Sequence, residues 1–432
     1  MFFISIWDFS GKLNDFLAYA EWLPHTFDME YRRFGKTNEQ ISVITLGGMR
    51  FKHGWNPPRS NLPAESIKNC IDTTSQAFEI GINHIETAHG YMKSEHLYGV
   101  ALKELAIPRD QFKMMTKGAP MTGDETRALV EEQLENLQLD FIDFYGWHGI
   151  NNEERLLAAI KPGGPVEVLH RLKEEGLIRH IGFSTHGSLD IIFRALQTGL
   201  FSFVNLHYYY FFQRNLQAVQ LAGKKDLGVF IISPNEKGGM LWKPSDIVQK
   251  TCEPMTAIQF NGRFCLQHPQ ITTLSLGMHA PEHFPQNLSI IGETKISSDK
   301  EERIRLKMDS RLNEVNSLCT LCNECLPCPE EINIPEVLRF RNLLEAYDMK
   351  DYGNFRYNMF EGEGHWFPGN FASKCTECGD CLPRCPEKLK IPKLLFDTHE
   401  RLFDRTAWLK GKLFDFSRMV FRVLGKFVPG IG

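Results

Sequence analysis

Eight of the eleven cysteines in this 432-residue chain fall between Cys319 and Cys385, and no other feature constrains its folding as much. Cys319, Cys322, Cys325 and Cys328 form C-x2-C-x2-C-x2-C-P, closed by Pro329. Cys375, Cys378, Cys381 and Cys385 form C-x2-C-x2-C-x3-C-P, closed by Pro386. Three thiolates spaced by three residues can wrap three corners of an iron–sulfur cubane, and a fourth ligand completes it. Zinc is the rival reading. Zinc ribbons use paired C-x2-C units with four thiolates per ion, and rarely add a third cysteine in step before Cys-Pro. The spacing therefore predicts iron–sulfur chemistry, with two [4Fe–4S] clusters expected. Cys70, Cys252 and Cys265 stand alone, and core packing is their expected role.

So local a cysteine cluster excludes one uniform domain, and composition limits the remainder. Lys plus Arg (49) nearly balance Asp plus Glu (53), for a net charge of −4, which argues against general nucleic-acid binding. Charges interrupt every apolar stretch, so no 18-residue membrane span is expected. Residues 1–28 lack the basic start and clean apolar core of a secretory signal, since Asp8, Lys12 and Asp15 break the run. They read as an extension in front of a domain beginning at Met29. A cytoplasmic, reducing compartment is the matching expectation, in which clustered cysteines bind metal rather than form disulfides.

Between residues 43 and 277 lie eight short strand-like runs, at 43–48, 83–88, 112–117, 141–148, 180–185, 203–209, 229–234 and 271–277. Helical patterns with apolar spacing of three and four separate them, such as ETRALVEEQLENLQLD. Eight strand–helix alternations predict an α/β fold of the (β/α)8 TIM-barrel type. A doubly wound open sheet is the rival, weakened because no GxGxxG follows the first run. In such a barrel, chemistry sits at the C-terminal strand ends. Those ends supply Glu86, Tyr91, Lys117 and His148: a carboxylate, a phenol, an amine and an imidazole. Together they suit proton transfer to a carbonyl oxygen, with the lysine expected to lower the phenol's pKa and the carboxylate to hold the lysine.

The motif IETAHGYMKSE (85–95), followed in order by TKG (116–118), His148, IGFST (181–185) and GMHAPEHFPQN (277–287), resembles the aldo-keto reductase family over residues 29–300. The resemblance implies NADP- or NAD-dependent reduction of a small carbonyl substrate. Tyr91 would be the general acid, His148 the substrate-orienting residue, and Lys117 paired with Glu86 the group that tunes the tyrosine. It also implies nucleotide contacts at Ser184, Thr185, Ser233, Gly277, Met278, His279, His283 and Asn287. Three positions depart from the family pattern. Glu86 replaces the usual aspartate, Ile232 stands where many members stack a tyrosine on nicotinamide, and Met278 and His283 stand where Lys and Arg often hold the 2′-phosphate of NADP.

The second cysteine run matches the spacing of bacterial ferredoxins. That resemblance implies crossed ligation, with Cys319, Cys322, Cys325 and Cys385 on one cluster and Cys375, Cys378, Cys381 and Cys328 on the other. Residues 336–350 read as a helical insert between the runs. The expected organisation is an extension (1–28), a reductase-like barrel (29–305), a ferredoxin-like iron–sulfur domain (306–396) and a basic amphipathic tail (397–432). The tail reads either as peripheral membrane contact or as a helix docked on its own chain. Two functions fit: a carbonyl oxidoreductase fused to an electron-transfer module with its own partner, or a non-catalytic redox or oxygen sensor on a reductase-like scaffold.

Overall fold

In a computed structural model, residues 29–291, 298–406 and 408–409 are described. The predicted extension 1–28 and most of the basic tail lie outside them. The described residues divide into two units: 29–243 with 254–291, and 244–253 with 298–409.

In the first unit all eight apolar runs become strands: β3 (Ile44–Gly47), β4 (His84–Glu86), β5 (Lys113–Gly118), β6 (Ile142–His148), β7 (Ile178–Ser184), β8 (Phe203–Leu206), β9 (Gly228–Ile232) and β10 (Ile271–Leu276). Each pairs in parallel with its neighbours, and β10 pairs with β3 to close a barrel in the order β10-β3-β4-β5-β6-β7-β8-β9. Closure excludes the open doubly wound sheet. A parallel strand covered by helices is buried on both faces, which is why these runs are almost continuously apolar.

A feature not anticipated from sequence precedes the barrel: an antiparallel hairpin of β1 (Tyr31–Arg33) and β2 (Gln40–Ser42). Its turn carries Phe34, wholly buried in a cluster with Ile41, Met115, Phe144, Phe203 and Phe230. Phe34 meets Phe144 edge-on at 5.1 Å and Phe203 at 5.4 Å. His84 packs against the same rings and bonds Thr45 Oγ1 at 2.8 Å. Burial lowers its pKa to about 3, so it stays neutral inside the barrel.

The second unit contains the helices Asp246–Cys252, Ser298–Asn313, Ile334–Tyr347, Lys350–Tyr357 and Ile391–Leu402. The expected helical insert is thus two helices. The two longer helices that follow the cysteine runs both begin Ile-Pro, at Ile334-Pro335 and Ile391-Pro392, where proline is tolerated at a helix start. With Cys-Thr-x-Cys-x-x-Cys-Leu-Pro in both runs, they expose an internal repeat. Among the described residues no helix is long and apolar enough to cross a membrane. Cys70, Cys252 and Cys265 are fully buried, as core packing requires.

Truncating Phe34 to alanine leaves a cavity that close-packed neighbours do not refill. Urea unfolding should show the barrel transition destabilised by about 3–5 kcal/mol in Phe34→Ala.

Candidate functional sites

At the C-terminal end of the barrel, β4 ends in Glu86 and β5 carries Lys117, both almost wholly buried. The Lys117 ammonium donates to Glu86 Oε1 and, at 2.7 Å, to the carbonyl of Thr87. Ser275 Oγ donates to Glu86 Oε2 at 3.2 Å. Tyr91, on the short 3-10 turn His89–Tyr91, donates from Oη to Glu86 Oε1 at 3.3 Å. Lys117 Nζ lies 4.9 Å from the Tyr91 ring centroid, and the His148 ring stands edge-on to it at 6.0 Å. The four residues picked out in the sequence therefore meet.

Two glycines make room for them. A Cβ on Gly146, which faces Lys117 in the ladder, would lie 3.0 Å from Lys117 Cγ. One on Gly47, which faces Glu86, would lie 2.8 Å from Ser275 Oγ and 3.3 Å from Glu86 Oε2. The space beside Gly47 accommodates a carboxylate one methylene longer than aspartate. His148 is fixed through its backbone: Arg155 donates to the carbonyls of His148 (2.8 Å) and Gly149 (2.6 Å).

Electrostatics differ from the expectation in one respect. Burial drives the Tyr91 phenol upward, and the cation opposing this is Arg50 rather than Lys117. The reason is that Glu86 balances the Lys117 charge, while burial holds Lys117 well below the usual lysine range. Arg50, in the turn Gly48–Arg50 after β3, is itself ion-paired with Glu236. Beneath Lys117 lies a second carboxylate, Glu95, accepting from Thr116 Oγ1 (2.6 Å) and Gln133 Nε2 (2.5 Å). Burial raises its pKa to about 7.

The residues expected to hold a nucleotide occupy the ends of β7 to β10. Ser184 and Asn205 face each other in register. Ser184 Oγ accepts from the Gly149 amide at 3.1 Å, leaving its hydroxyl hydrogen to donate. Asn205 is fully buried with Oδ1 unpartnered. Thr185 is different: its hydroxyl ties the loop, donating to the Ile150 carbonyl and accepting from the Gly187 amide. Ser233, in a left-handed conformation after β9, accepts the Lys237 amide. Asn235 donates to Asn287 at 2.7 Å and keeps a buried, unpartnered Oδ1. After β10, Met278 is buried and the His279 and His283 rings meet at 4.4 Å. Burial lowers His279 to about 4 and also lowers His283. Arg50, Asn205 and Asn235 escaped the sequence reading. A polar residue inside the apolar run FVNLHYY was the signal for Asn205.

In the second unit, Cys319, Cys322, Cys325 and Cys385 line a cavity of about 310 Å³ together with Pro335, Leu338 and Ile391. Cys328, Cys375, Cys378 and Cys381 line another of about 330 Å³ with Ile334, Pro392 and Leu395. Each cavity draws one cysteine from the opposite run. Left-handed Leu321 and Glu377 turn their amides onto the sulfurs of Cys319 and Cys375. No group of three or more His, Cys, Asp or Glu among the described residues is arranged to hold a single metal ion. Thiols spread round a cavity suit a cubane better than the tight shell of zinc. Burial raises the thiols of Cys319, Cys325, Cys375 and Cys381.

Residues 43–255 match the profile of the Aldo/keto reductase family, and residues 318–389 match the 4Fe-4S dicluster domain. L-galactose dehydrogenase of Arabidopsis thaliana is 24% identical over 305 residues, covering 63% of this chain and 92% of its own. NADH-specific methylglyoxal reductase of Escherichia coli (strain K12) is 31% identical over 230 residues, covering 47% of this chain and 67% of its own. Among solved structures, an aldo-keto reductase from Bacillus halodurans in its holo form shares the barrel fold with a TM-score of 0.54. That match has 19% identity and covers 65% of this chain and 96% of the other.

Glu95 provides a test that needs no substrate. Its carboxyl, raised by burial from 4.5 to about 7, binds a proton more tightly in the folded state, so its contribution is complete below about pH 4.5. That contribution is lost as pH rises through about 7. Barrel stability should fall across this window, and Glu95→Gln should flatten the fall in urea titrations at successive pH values.

Proposed function

Because the chain belongs to the aldo/keto reductase family and carries a 4Fe-4S domain behind its barrel, we propose that it reduces a small carbonyl compound with a nicotinamide nucleotide and passes electrons through two clusters. The observation that carries the reading is the meeting of Tyr91, Glu86, Lys117 and His148 at one end of the barrel. The phenol is the one group of the four that suits proton donation: Lys117 is committed to Glu86, and His148 approaches Tyr91 through its ring edge.

The bound nucleotide would supply a hydride to the carbonyl carbon. The chain's own residues do the rest. Tyr91 Oη gives its proton to the carbonyl oxygen. The phenolate left behind is stabilised by Arg50, the cation whose charge opposes the rise of the Tyr91 phenol. His148, with its main chain clamped by Arg155, orients the substrate oxygen. Ser184 and the free Oδ1 of Asn205 fit the donor and acceptor needs of a carboxamide, and the loops tied by Asn235 and Asn287 fit the remainder of the nucleotide. His279 and His283 are neutral near pH 7, so neither adds a charge for a 2′-phosphate. Lys52 acts on both rings and Arg50 on His279, though Arg50 is paired with Glu236. The preference for NADH therefore rests on Met278 and His283 standing in place of Lys and Arg, and on the nucleotide in the name of the Escherichia coli relative.

For the clusters, the cavity linings support the crossed ligand sets: Cys319, Cys322, Cys325 and Cys385 for one, and Cys328, Cys375, Cys378 and Cys381 for the other. A hydride moves two electrons and the carbonyl takes both, whereas a cubane moves one. Electrons on the clusters would therefore come from a one-electron donor and leave to a one-electron acceptor, both outside the carbonyl reaction.

Tyr91→Phe should lower carbonyl-dependent nucleotide oxidation by about 10²–10⁴-fold in steady-state assays. An idle scaffold barrel in a sensor would leave any residual rate untouched. NADH should give the lower KM of the two nucleotides between pH 6 and pH 8. Crossed ligation predicts that Cys385→Ser removes the same paramagnetic signal as Cys319→Ser, and Cys328→Ser the same signal as Cys375→Ser. Each should halve the iron content from about eight per chain. Loss of one signal by Cys385→Ser and Cys375→Ser alike would mean uncrossed binding.

A further inference from the structure

Beside the reductase site lies a buried positive group with no negative partner. Lys93, two residues after Tyr91, is only 2% exposed, yet its ammonium is held by a single main-chain carbonyl, that of Asn56 at 2.5 Å. Among the described residues it forms no ion pair with a carboxylate. Buried charges are ordinarily paired, because removing an ammonium from water without compensation is strongly unfavourable. The Asn56 carbonyl belongs to the loop 51–63 after β3. The same loop buries His53, 9% exposed, whose Nδ1 meets the Gly54 carbonyl at 3.3 Å and whose Nε2 has no partner. His53 stands three residues before Asn56, whose carbonyl holds the Lys93 ammonium, so chain length keeps the two groups within about 11 Å through that loop.

The surroundings carry the same sign. Loop 51–63 and segment 88–93 contain Lys52, His53, Arg59, His89 and Lys93 and no aspartate or glutamate. Arg59 Nη1 sits 2.7 Å from the ring nitrogens of His89. The acids facing this wall from elsewhere are Glu95 and Glu132, each 3.9 Å from His89 Nδ1, and neither is paired with Lys93. Tyr91 lies between His89 and Lys93 in the chain, and two residues span no more than about 7 Å.

We propose that the carbonyl substrate carries an anionic group, a carboxylate or a phosphate, held by the Lys93 ammonium and His53 Nε2 beneath the loop 51–63. This rests on the reading of the barrel as a carbonyl reductase and narrows its substrates to short oxo acids or phosphorylated aldehydes. The anion would replace the Asn56 carbonyl as the partner of Lys93, so the loop lifts to admit substrate and settles over it.

The test compares matched carbonyl pairs with the full-length, cluster-loaded protein: glyoxylate against glycolaldehyde for the carboxylate, and glyceraldehyde 3-phosphate against glyceraldehyde for the phosphate. In one pair, kcat/KM should favour the charged member at least tenfold, and Lys93→Met should reduce that ratio at least tenfold. Lys93→Arg should restore much of it. Which pair responds identifies the anion. Equal losses on both members of each pair, no preference in the parent protein, or no rescue by arginine would overturn the proposal. Calorimetric titration with oxalate and with inorganic phosphate supplies a readout without turnover. If one of these anions binds tenfold more weakly to Lys93→Met while no carbonyl is reduced by either protein, the anion site stands and the reductase reading falls. If neither anion's binding depends on Lys93, the anion site falls whatever the turnover.

Discussion

The ion pair between Lys117 and Glu86 is the constraint around which the catalytic end of the barrel is arranged. Both groups are almost fully buried, and a buried ammonium or carboxylate left alone would be strongly destabilising. Each therefore needs the other, and each needs further hydrogen bonds, supplied by the Thr87 carbonyl and Ser275. Gly146 and Gly47 keep the space open. With the charge of Lys117 balanced in this way, Tyr91 remains a phenol raised by burial rather than a phenolate. The extra methylene of Glu86 fits this arrangement, so the departure from the family's aspartate is accommodated by neighbouring space.

The second unit follows a different logic. The two helices that begin Ile-Pro face the cysteine runs, and an aromatic cluster of Phe340, Tyr357, Phe360, Phe367 and Phe371 adds to the unit's apolar mass. Those helices contribute Pro335, Leu338 and Ile391 to one cavity wall and Ile334, Pro392 and Leu395 to the other. Each run thus lends its last cysteine to the cavity of the other run, and each helix start lines both cavities, so the two halves of the repeat depend on one another.

Much of this was legible in the sequence. The eight strands announced themselves because parallel barrel strands are buried on both faces and read as apolar runs. Tyr91, Lys117 and His148 were legible because the barrel gathers strand ends, so order along the chain becomes proximity in space. The two cysteine runs were legible from their spacing, because each is local in the chain, whereas their crossed assignment came from the resemblance to bacterial ferredoxins. The β1–β2 hairpin was missed: its strands are only three residues each, too short to show a period. Arg50 and Asn235 were missed because their importance comes from partners far along the chain, Glu236 and Asn287. Nothing in the sequence marks Lys93, and only its burial reveals an unbalanced charge.

The most direct measurement of the central claim is an anaerobic titration of the cluster-loaded protein with NADH and NADPH, with and without a panel of aldehydes and ketones. Absorbance would be followed in the nicotinamide and cluster bands together. Loss of the nicotinamide signal that depends on an added carbonyl is the predicted result, and bleaching of the clusters alongside it would show the two units sharing electrons. Nucleotide that is neither bound nor consumed under any carbonyl would contradict the account, leaving the barrel a scaffold for the iron–sulfur unit.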